Sequence, residues 1–336
     1  MRFRLIHLAI VSGLFTSPVT AQVSINAAGA TFPATIYQQW GQEFKGARIN
    51  YQSMGSGAGI NQLMVGTVDF GASDMPMTDE QLSKMKVKVL HFPTVIGAVV
   101  PVYNIPGLSG TLKFTPETLA GIYLGYLRKW NDPKIAADNP GAKLPNADIL
   151  TVHRSDGSGT TYVWCDYLAK VSGAWKAKIG GACATALRWP ASGLAGKGNE
   201  GVAGMIKQTP NSIGYVELVY ASKEHLTFGD VKNKSGKFVK ASVASVTAAA
   251  GGAAASIPAD FRVSITDPPG AESYPISSFT YLLIPSKISD GNKKKAIVDF
   301  LNWMLTSGQK DAPGLDFAPL PAAVIAKEQK QIAQIQ

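Results

Sequence analysis

Residues 149–164 of this 336-residue chain read ILTVHRSDGSGTTYVW, and this stretch indicates the fold more clearly than any other. An alternating apolar run ends at His153, a glycine-bearing loop follows, and a helical pattern begins near Thr161. A strand that leads through such a loop into a helix leaves the first backbone N–H groups of the helix free. Because the helix dipole places partial positive charge there, the loop is suited to bind an anion.

The loop between this strand and helix also carries side chains that suit an anion. Arg154 offers a guanidinium fork, and Ser158 and Thr160 offer hydroxyl donors. Asp156 is the exception, since a carboxylate repels an anion unless it serves another group. The same residues also describe an ordinary turn followed by a helix N-cap, so the loop alone leaves both interpretations open.

The first 21 residues are predicted to be a secretory signal peptide. Arg2 and Arg4 precede an apolar run from Leu5 to Phe15, and residues 19–21 (VTA) resemble a cleavage site. The run is shorter than the roughly 20 residues that span a bilayer. The first cysteine is Cys165, so no lipid anchor is expected near the cleavage site. We therefore expect a soluble, exported protein of the periplasm.

Composition and charge narrow the classes of function. The chain carries 32 Lys and Arg against 23 Asp and Glu, a formal net charge of +9, and positive charge favours encounters with small anions. The lysines are dispersed, so nucleic acid is not an expected partner.

The four histidines are scattered, and neither a metal nor a cofactor is predicted. Cys165 and Cys183 are expected to form a disulfide after export, with a free buried pair as the alternative.

The rest of the chain predicts an α/β fold with a largely parallel sheet. Strand signals at 23–28, 49–51 and 68–72 alternate with helix signals, and each strand ends in a loop rich in Gly, Ser or Thr. Ligands of such sheets bind beyond the carboxyl ends of the strands. These three loops and the Arg154 loop are therefore expected to point toward one place.

Two long apolar strand signals divide the chain. Residues 95–104 and 279–285 are nearly continuous apolar runs, and a complete α/β segment lies between them. This pattern indicates two lobes joined by two hinge strands, with a ligand cleft between the lobes. The predicted organisation is a signal peptide at 1–21, lobe 1 at 22–98 plus 280–336, and lobe 2 at 99–279.

Catalytic chemistries find less support in the sequence. A nucleophilic Ser158 would have to use His153 and Asp156, yet these residues lie crowded within six positions and the Gly-x-Ser-x-Gly pattern is absent. Residues 193–198 (GLAGKG) only resemble a Walker loop and are interpreted as a mobile loop. Residues 241–256 are interpreted as a loop or frayed helix without a chemical role. A secreted phosphohydrolase remains one alternative function.

The carboxylates bear on which oxyanion would bind. Phosphate near neutral pH still carries a proton, whereas sulfate does not. A carboxylate that accepts this proton favours phosphate and repels sulfate. Asp74 is expected to serve that purpose, and Asp156 to hold Arg154 in place. A binder of another tetrahedral oxyanion, such as sulfate, is the second alternative.

Eight stretches of the chain match the motifs of one known family. They are GATFP at 29–33, VDFGASD at 68–74, FPTVIG at 92–97, NIPGL at 104–108, IYLG at 122–125, RSDGSGT at 154–160, GKGN at 196–199 and IGYVE at 213–217. Over nearly the whole mature chain, the sequence resembles the periplasmic phosphate-binding proteins of ABC-type phosphate importers. His153, Ala58 and the cysteine pair depart from the pattern at the rim of the expected site.

The resemblance implies the type II-like periplasmic-binding-protein fold, a function in transport without catalysis, and a permease with an ATPase as partner. It implies phosphate contacts at Thr31, Phe32 (through its backbone), Ser56, Asp74, Arg154, Asp156, Ser158, Gly159 and Thr160. We expect a monomer that binds inorganic phosphate and delivers it to the transmembrane subunits of the permease. Arsenate, which is nearly isosteric with phosphate, is expected to bind to some extent.

Overall fold

The computed structural model describes residues 22–253 and 257–336. The predicted signal peptide, residues 1–21, lies outside the described residues. The strands are β1 (Ser24–Gly29), β2 (Arg48–Ser53), β3 (Phe70–Ser73), β4 (Val89–Asn104), β5 (Lys113–Phe114), β6 (Leu150–Arg154), β7 (Gly193–Gly196), β8 (Ser212–Glu217), β9 (Thr227–Phe228), β10 (Asp230–Lys232), β11 (Phe238–Val239) and β12 (Ser277–Pro285). The helices are α1 (Ala34–Glu43), α2 (Ser56–Val65), α3 (Asp79–Ser83), α4 (Pro116–Tyr123), α5 (Pro133–Asp138), α6 (Gly159–Val171), α7 (Gly173–Lys178), α8 (Gly198–Gln208), α9 (Leu218–Lys223), α10 (Val243–Ala253), α11 (Gly291–Met304) and α12 (Ala322–Ile332).

The main sheet has the strand order β2-β1-β3-β12-β4-β8-β6-β7, with β9 also paired to β4. β2, β1 and β3 are parallel to one another, and so are β8, β6 and β7. β12 and β4 run antiparallel to their neighbours. The predicted α/β class is confirmed, but the sheet is mixed rather than largely parallel because these two long strands cross its middle.

Strand β4 takes part in both halves of the sheet. Its residues 89–98 pair with β12, and its residues 99–104 pair with β8. Ala98 lies opposite Ser277, and the next residue, Val99, lies opposite Glu217. Nearly every residue of the strand is buried, which explains why its sequence is mostly apolar instead of alternating.

Each half of the sheet packs on its own aromatic cluster. In the first half, the ring of Phe300 on α11 lies 5.4 Å from that of Phe44 and 6.3 Å from that of Phe70. In the second half, Trp164 on α6 stacks on Tyr215 of β8 with 5.1 Å between ring centroids. Aromatic rings bury large apolar areas, so these clusters fix the helices against the sheet and thereby the loops at the strand ends.

One local prediction, the mobile loop at 193–198, is wrong, and for residues 241–256 the structure selects the helix of the two alternatives. Residues 193–198 contain the edge strand β7, parallel to β6, because glycine at position 193 lets the backbone approach Thr151, where a Cβ would collide with the carbonyl group. The stretch 241–256 contains the regular helix α10, which buries Val246 and Ala250, while residues 254–256 lie outside the described residues. Within the part of the chain that is described, no helix combines the length and apolarity needed to cross a membrane.

Candidate functional site

The four predicted loops lie at the carboxyl ends of strands and meet at one place. Thr31 follows β1, Ser56 begins α2 after β2, Asp74 follows β3, and residues 154–160 connect β6 to α6. The N–H of Asp74 donates to Ser56 Oγ at 3.2 Å, which joins two of the loops directly. The convergence follows from the parallel pairing in each half, since parallel strands end at the same edge of a sheet.

Glycines let the loops of the two halves approach closely. The N–H of Gly57 donates to the carbonyl of Gly157 at 2.8 Å, and a Cβ on Gly57 would lie 3.0 Å from the Cα of Gly157. A Cβ on Gly159 would collide with the Ser56 hydroxyl and the Asp74 carboxylate. Only glycine therefore fits at position 159, where the backbone of α6 faces the opposite half.

Of the nine residues singled out in the sequence, eight are buried and Asp156 is half-buried. The ring of Phe32 packs into the core, 6.2 Å from that of Phe317, so its backbone is the part that faces the site. Helix α2 begins at Ser56 and helix α6 at Gly159. Ser158 caps α6 by accepting a hydrogen bond from the N–H of Thr161 at 3.0 Å. The N-termini of both helices contribute partial positive charge.

Arg154, at the end of β6, is held by Asp156. Its Nε donates to Asp156 Oδ1 at 2.8 Å, and its Nη2 donates to Oδ2 at 2.5 Å. The N–H of Gly198 also donates to Asp156, at 3.0 Å. Although partial burial opposes the charged form, the Arg154 guanidinium holds the pKa of Asp156 below its usual value. The predicted orienting contact between Asp156 and Arg154 is therefore present.

Asp74 is the unusual acceptor in this set. Its side chain is buried, and Oδ1 accepts a hydrogen bond from the Thr280 hydroxyl at 2.8 Å. Oδ2 has no hydrogen-bond partner among the described residues. Burial raises the pKa of Asp74 from 3.8 to about 7, against the opposing effects of Thr280 and Arg154. A buried carboxylate oxygen of this kind is suited to accept a proton from a ligand.

Several residues that the sequence analysis did not select belong to the same site. Asn199 donates from Nδ2 to Thr31 Oγ1 at 2.7 Å and to Thr160 Oγ1 at 3.1 Å. The Tyr220 hydroxyl donates to the carbonyl of Thr31 at 2.6 Å. Asn199 lies inside the quoted stretch at 196–199, which was the only signal available for it. Thr280 and Tyr220 lie in patterns that carry no such signal.

The catalytic alternative receives no geometric support from His153. Its ring stacks on Trp189 with 5.0 Å between centroids, and its Nδ1 lies 3.1 Å from the carbonyl of Arg154. The Ser158 hydroxyl accepts the capping bond from Thr161. These side chains are engaged with different partners. Over residues 22–253 and 257–336, no group of three or more His, Cys, Asp or Glu is placed to hold a metal ion.

Cys165 on α6 and Cys183 are joined in a disulfide, with Cα atoms 5.7 Å apart. The segment after Cys183 then passes beside the site. The carbonyl of Thr185 accepts a hydrogen bond from the N–H of Ser158 at 2.7 Å, and Trp189 stacks on His153. The disulfide thus ties α6 to a segment that supports the loop at its N-terminus.

Comparisons with known proteins agree with this geometry. A family model for a PBP superfamily domain matches residues 16–307. The phosphate-binding protein PstS of Pasteurella multocida is 43% identical over 335 residues, which cover 98% of this chain and 96% of that protein. The phosphate-binding protein PstS of Haemophilus influenzae is 41% identical, with 95% of each chain covered.

Solved structures show the same fold. A high-affinity periplasmic phosphate-binding protein (PfluDING), solved with bound phosphate, has a TM-score of 0.75 at 22% identity, and the match covers 92% of this chain and 93% of that one. The phosphate-binding protein of Stenotrophomonas maltophilia has a TM-score of 0.70 at 18% identity, with 92% and 93% covered. From its fold and its close relatives, the chain belongs to the PBP superfamily and, within it, to the PstS family of phosphate-binding proteins of ABC phosphate transport.

Proposed function

We propose that this protein binds inorganic phosphate between two lobes and delivers it to the transmembrane subunits of an ABC-type phosphate importer. The observation that carries the proposal is the buried Asp74 Oδ2, an acceptor without a partner among the described residues. It lies in a site whose other groups are mainly donors. Singly protonated phosphate presents oxygens to the donors and its hydroxyl to Asp74. Sulfate has no proton there and would set its charge against the carboxylate.

Each residue of the site has a role in this proposal. Arg154 supplies the main positive charge, Asp156 orients it, and Asp74 accepts the phosphate proton. The donors to the phosphate oxygens are the hydroxyls of Thr31, Ser56, Ser158 and Thr160 and the backbone N–H groups of Phe32 and Gly159. Burial of all these donors favours the proposal, since hydrogen bonds to a charged group strengthen where water is excluded.

The proposed lobes are residues 22–98 plus 280–336 and residues 99–279. The change of pairing partner along β4, between Ala98 and Val99, supports this division. Hydrogen bonds across the division, such as Gly57 to Gly157, are those that a closed cleft would make. Opening and closing of the lobes would admit and release the ligand.

The proposal also covers the location of the protein, its oligomeric state and its binding of arsenate. A periplasmic location is supported by the signal peptide predicted at residues 1–21. All proposed ligand groups come from one chain, so a monomer suffices. Arsenate would compete because its shape and protonation resemble those of phosphate. Catalysis is not part of the proposal.

Calorimetry tests the proposal directly. The mature protein, freed of carried-over ligand, is titrated with phosphate, arsenate and sulfate at two pH values. We expect heat with phosphate, weaker binding of arsenate and none of sulfate. Absence of phosphate heat at micromolar protein would overturn the proposal, preferential sulfate binding would favour the second oxyanion, and turnover of a chromogenic phosphoester would favour a phosphohydrolase.

A further inference from the structure

Asn199 lies between the two halves of the site. It is fully buried in the first turn of α8. Its Nδ2 donates to Thr31 Oγ1 at 2.7 Å and to Thr160 Oγ1 at 3.1 Å, and its backbone N–H also donates to Thr31 Oγ1, at 3.3 Å. One amide group therefore touches a hydroxyl from each half.

The orientation of this amide is fixed by a third contact. The backbone N–H of Glu217 donates to Asn199 Oδ1 at 2.9 Å. A backbone N–H can only donate, so the atom that faces it must be the amide oxygen. The opposite atom, which faces Thr31 and Thr160, must therefore be the NH₂ group, and both of its protons are directed at hydroxyl oxygens.

The number of lone pairs then determines whether the hydroxyls of Thr31 and Thr160 donate or accept toward a ligand. A threonine hydroxyl has two acceptor lone pairs and one proton. Thr31 Oγ1 accepts from both the backbone and the side chain of Asn199. Thr160 Oγ1 accepts from Asn199 and, at 3.5 Å, from Arg154 Nη1. With their lone pairs engaged, each hydroxyl keeps its proton for donation to a ligand.

We propose that Asn199 is a positioning residue that turns the hydroxyls of Thr31 and Thr160 into obligate donors toward the bound oxyanion. The inference rests on the proposed phosphate site and deepens it. Asn199 orients these two hydroxyl donors without adding charge to the site. Asp74 therefore remains the group that selects for a protonated anion. A side chain that accepted at this position would draw both hydroxyl protons away from the ligand.

A double-mutant cycle tests the inference. Asn199→Ala alone is expected to raise the phosphate Kd about tenfold, from the loss of donor orientation at two hydroxyls. In a Thr31→Val/Thr160→Val background, which lacks both hydroxyls at nearly constant shape, the same substitution is expected to change the Kd less than about twofold. Asn199→Asp keeps an oxygen that accepts from the N–H of Glu217 but replaces the NH₂ group with a second acceptor oxygen. It is expected to weaken phosphate binding more than Asn199→Ala, because this oxygen draws the hydroxyl protons away from the ligand.

Asn233→Ala is the matched control. Asn233 is also a buried amide, which donates to the carbonyls of Gly270, Ala271 and Ser273 away from the site. This substitution is expected to lower the melting temperature and leave the phosphate Kd unchanged. If Asn199→Ala does not fold, Asn199→Ser replaces it in the cycle.

The outcomes distinguish failure of the proposed phosphate site from failure of the role of Asn199. If the wild-type protein gives no phosphate heat, the proposed function fails. If the wild type binds phosphate but the Asn199 substitution has no effect on Kd, or has an equal effect with and without the two hydroxyls, the role of Asn199 is overturned while the phosphate site stands.

Discussion

Arg154 and Asp156, two positions apart in the chain, form a two-point ion pair, with Nε donating to Oδ1 at 2.8 Å and Nη2 to Oδ2 at 2.5 Å. The pair uses one edge of the guanidinium. The protons of Nη1 and the second proton of Nη2 remain on the other edge, where Nη1 lies 3.5 Å from the Thr160 hydroxyl. The guanidinium is thus held with its other edge toward Thr160, where the proposed ligand would meet it.

Removal of Arg154 should weaken phosphate binding strongly. Arg154→Ala is expected to cost at least ~2 kcal/mol of binding free energy, because the ligand loses a desolvated charge partner. Arg154→Lys should recover only part of this loss, since an ammonium group cannot contact Asp156 and the ligand as a planar fork. Calorimetry measures both, with Arg128→Ala, at an exposed arginine, as control. Unchanged affinity in Arg154→Ala would contradict the assignment.

Asp74→Asn should narrow the difference between phosphate and sulfate. The amide no longer accepts the phosphate proton as a carboxylate does, and it removes the charge that repels sulfate. We expect the phosphate Kd to rise by at least about tenfold and sulfate binding to become measurable. Competition calorimetry gives the ratio of the sulfate Kd to the phosphate Kd. Asp299→Asn, at a half-buried carboxylate that pairs with Lys295, should leave this ratio unchanged. An unchanged ratio in Asp74→Asn would refute the selection role.

The raised pKa of Asp74 predicts a pH dependence of stability. Burial raises this pKa from 3.8 to about 7, so between those values the folded protein holds a proton that the unfolded chain releases. The contribution of Asp74 to the free energy of unfolding therefore falls as pH rises through this window, by up to roughly 4 kcal/mol. Asp74→Asn cannot ionise and should gain stability relative to wild type from pH 4 to pH 7.

Urea denaturation at several pH values, in phosphate-free buffer, measures that difference. A buried carboxyl whose raised pKa does not depend on Asp74, such as that of Glu328, is common to both proteins and cancels. Parallel pH profiles for wild type and Asp74→Asn would show that Asp74 does not titrate in this range.

A side chain between the two apposed glycines should hold the cleft open. A Cβ on Gly57 would lie 3.0 Å from the Cα of Gly157, tighter than ordinary contacts, and the φ of Gly57 is not positive. Gly57→Ala is therefore expected to act through space and to raise the phosphate Kd about tenfold, mainly through faster dissociation in stopped-flow measurements. Gly204→Ala, on α8 with open space around it, should dissociate phosphate at the wild-type rate.

Removal of the disulfide should loosen the loop at the start of α6. Replacing Cys165 and Cys183 with serine releases a link across 18 positions and is expected to cost about 3 kcal/mol of unfolding free energy. Since Thr185 accepts the N–H of Ser158, amide hydrogen exchange at Ser158 should accelerate more than at Gly57. Equal acceleration at both amides would indicate only a global loss of stability.

Much of the site could be inferred from the sequence because strand ends of parallel pairs converge. Thr31, Ser56, Asp74 and the Arg154 loop each follow a recognisable strand, so local patterns were enough to predict that they meet. Asn199 and Thr280 act through contacts with residues 168 and 206 positions away. The contact of Asn199 with Thr31 forms where the two halves meet, and that of Thr280 with Asp74 forms where β12 pairs with β3. Apart from the motif at 196–199, the local sequence does not indicate either contact.

The error at 193–198 has a different origin. A run with three glycines carries little intrinsic preference for a strand, and β7 forms because the edge of β6 offers unpaired backbone groups. Strand preference there comes from the neighbour rather than from the segment. The sequence of residues 193–198 alone therefore does not show that β6 has unpaired backbone groups with which they can pair.

Strand β4 finally limits the mechanics of the whole molecule. The same 16-residue strand is hydrogen-bonded into both halves of the sheet, so neither half can slide past the other without losing hydrogen bonds between strands. We expect twisting and bending of β4 near Ala98 and Val99 to be the easiest motion between the proposed lobes, because it keeps the pairing on both sides. Closure of the proposed lobes should therefore follow a single hinge motion about β4. Labels on the two lobes should show one distance without phosphate and one shorter distance with it.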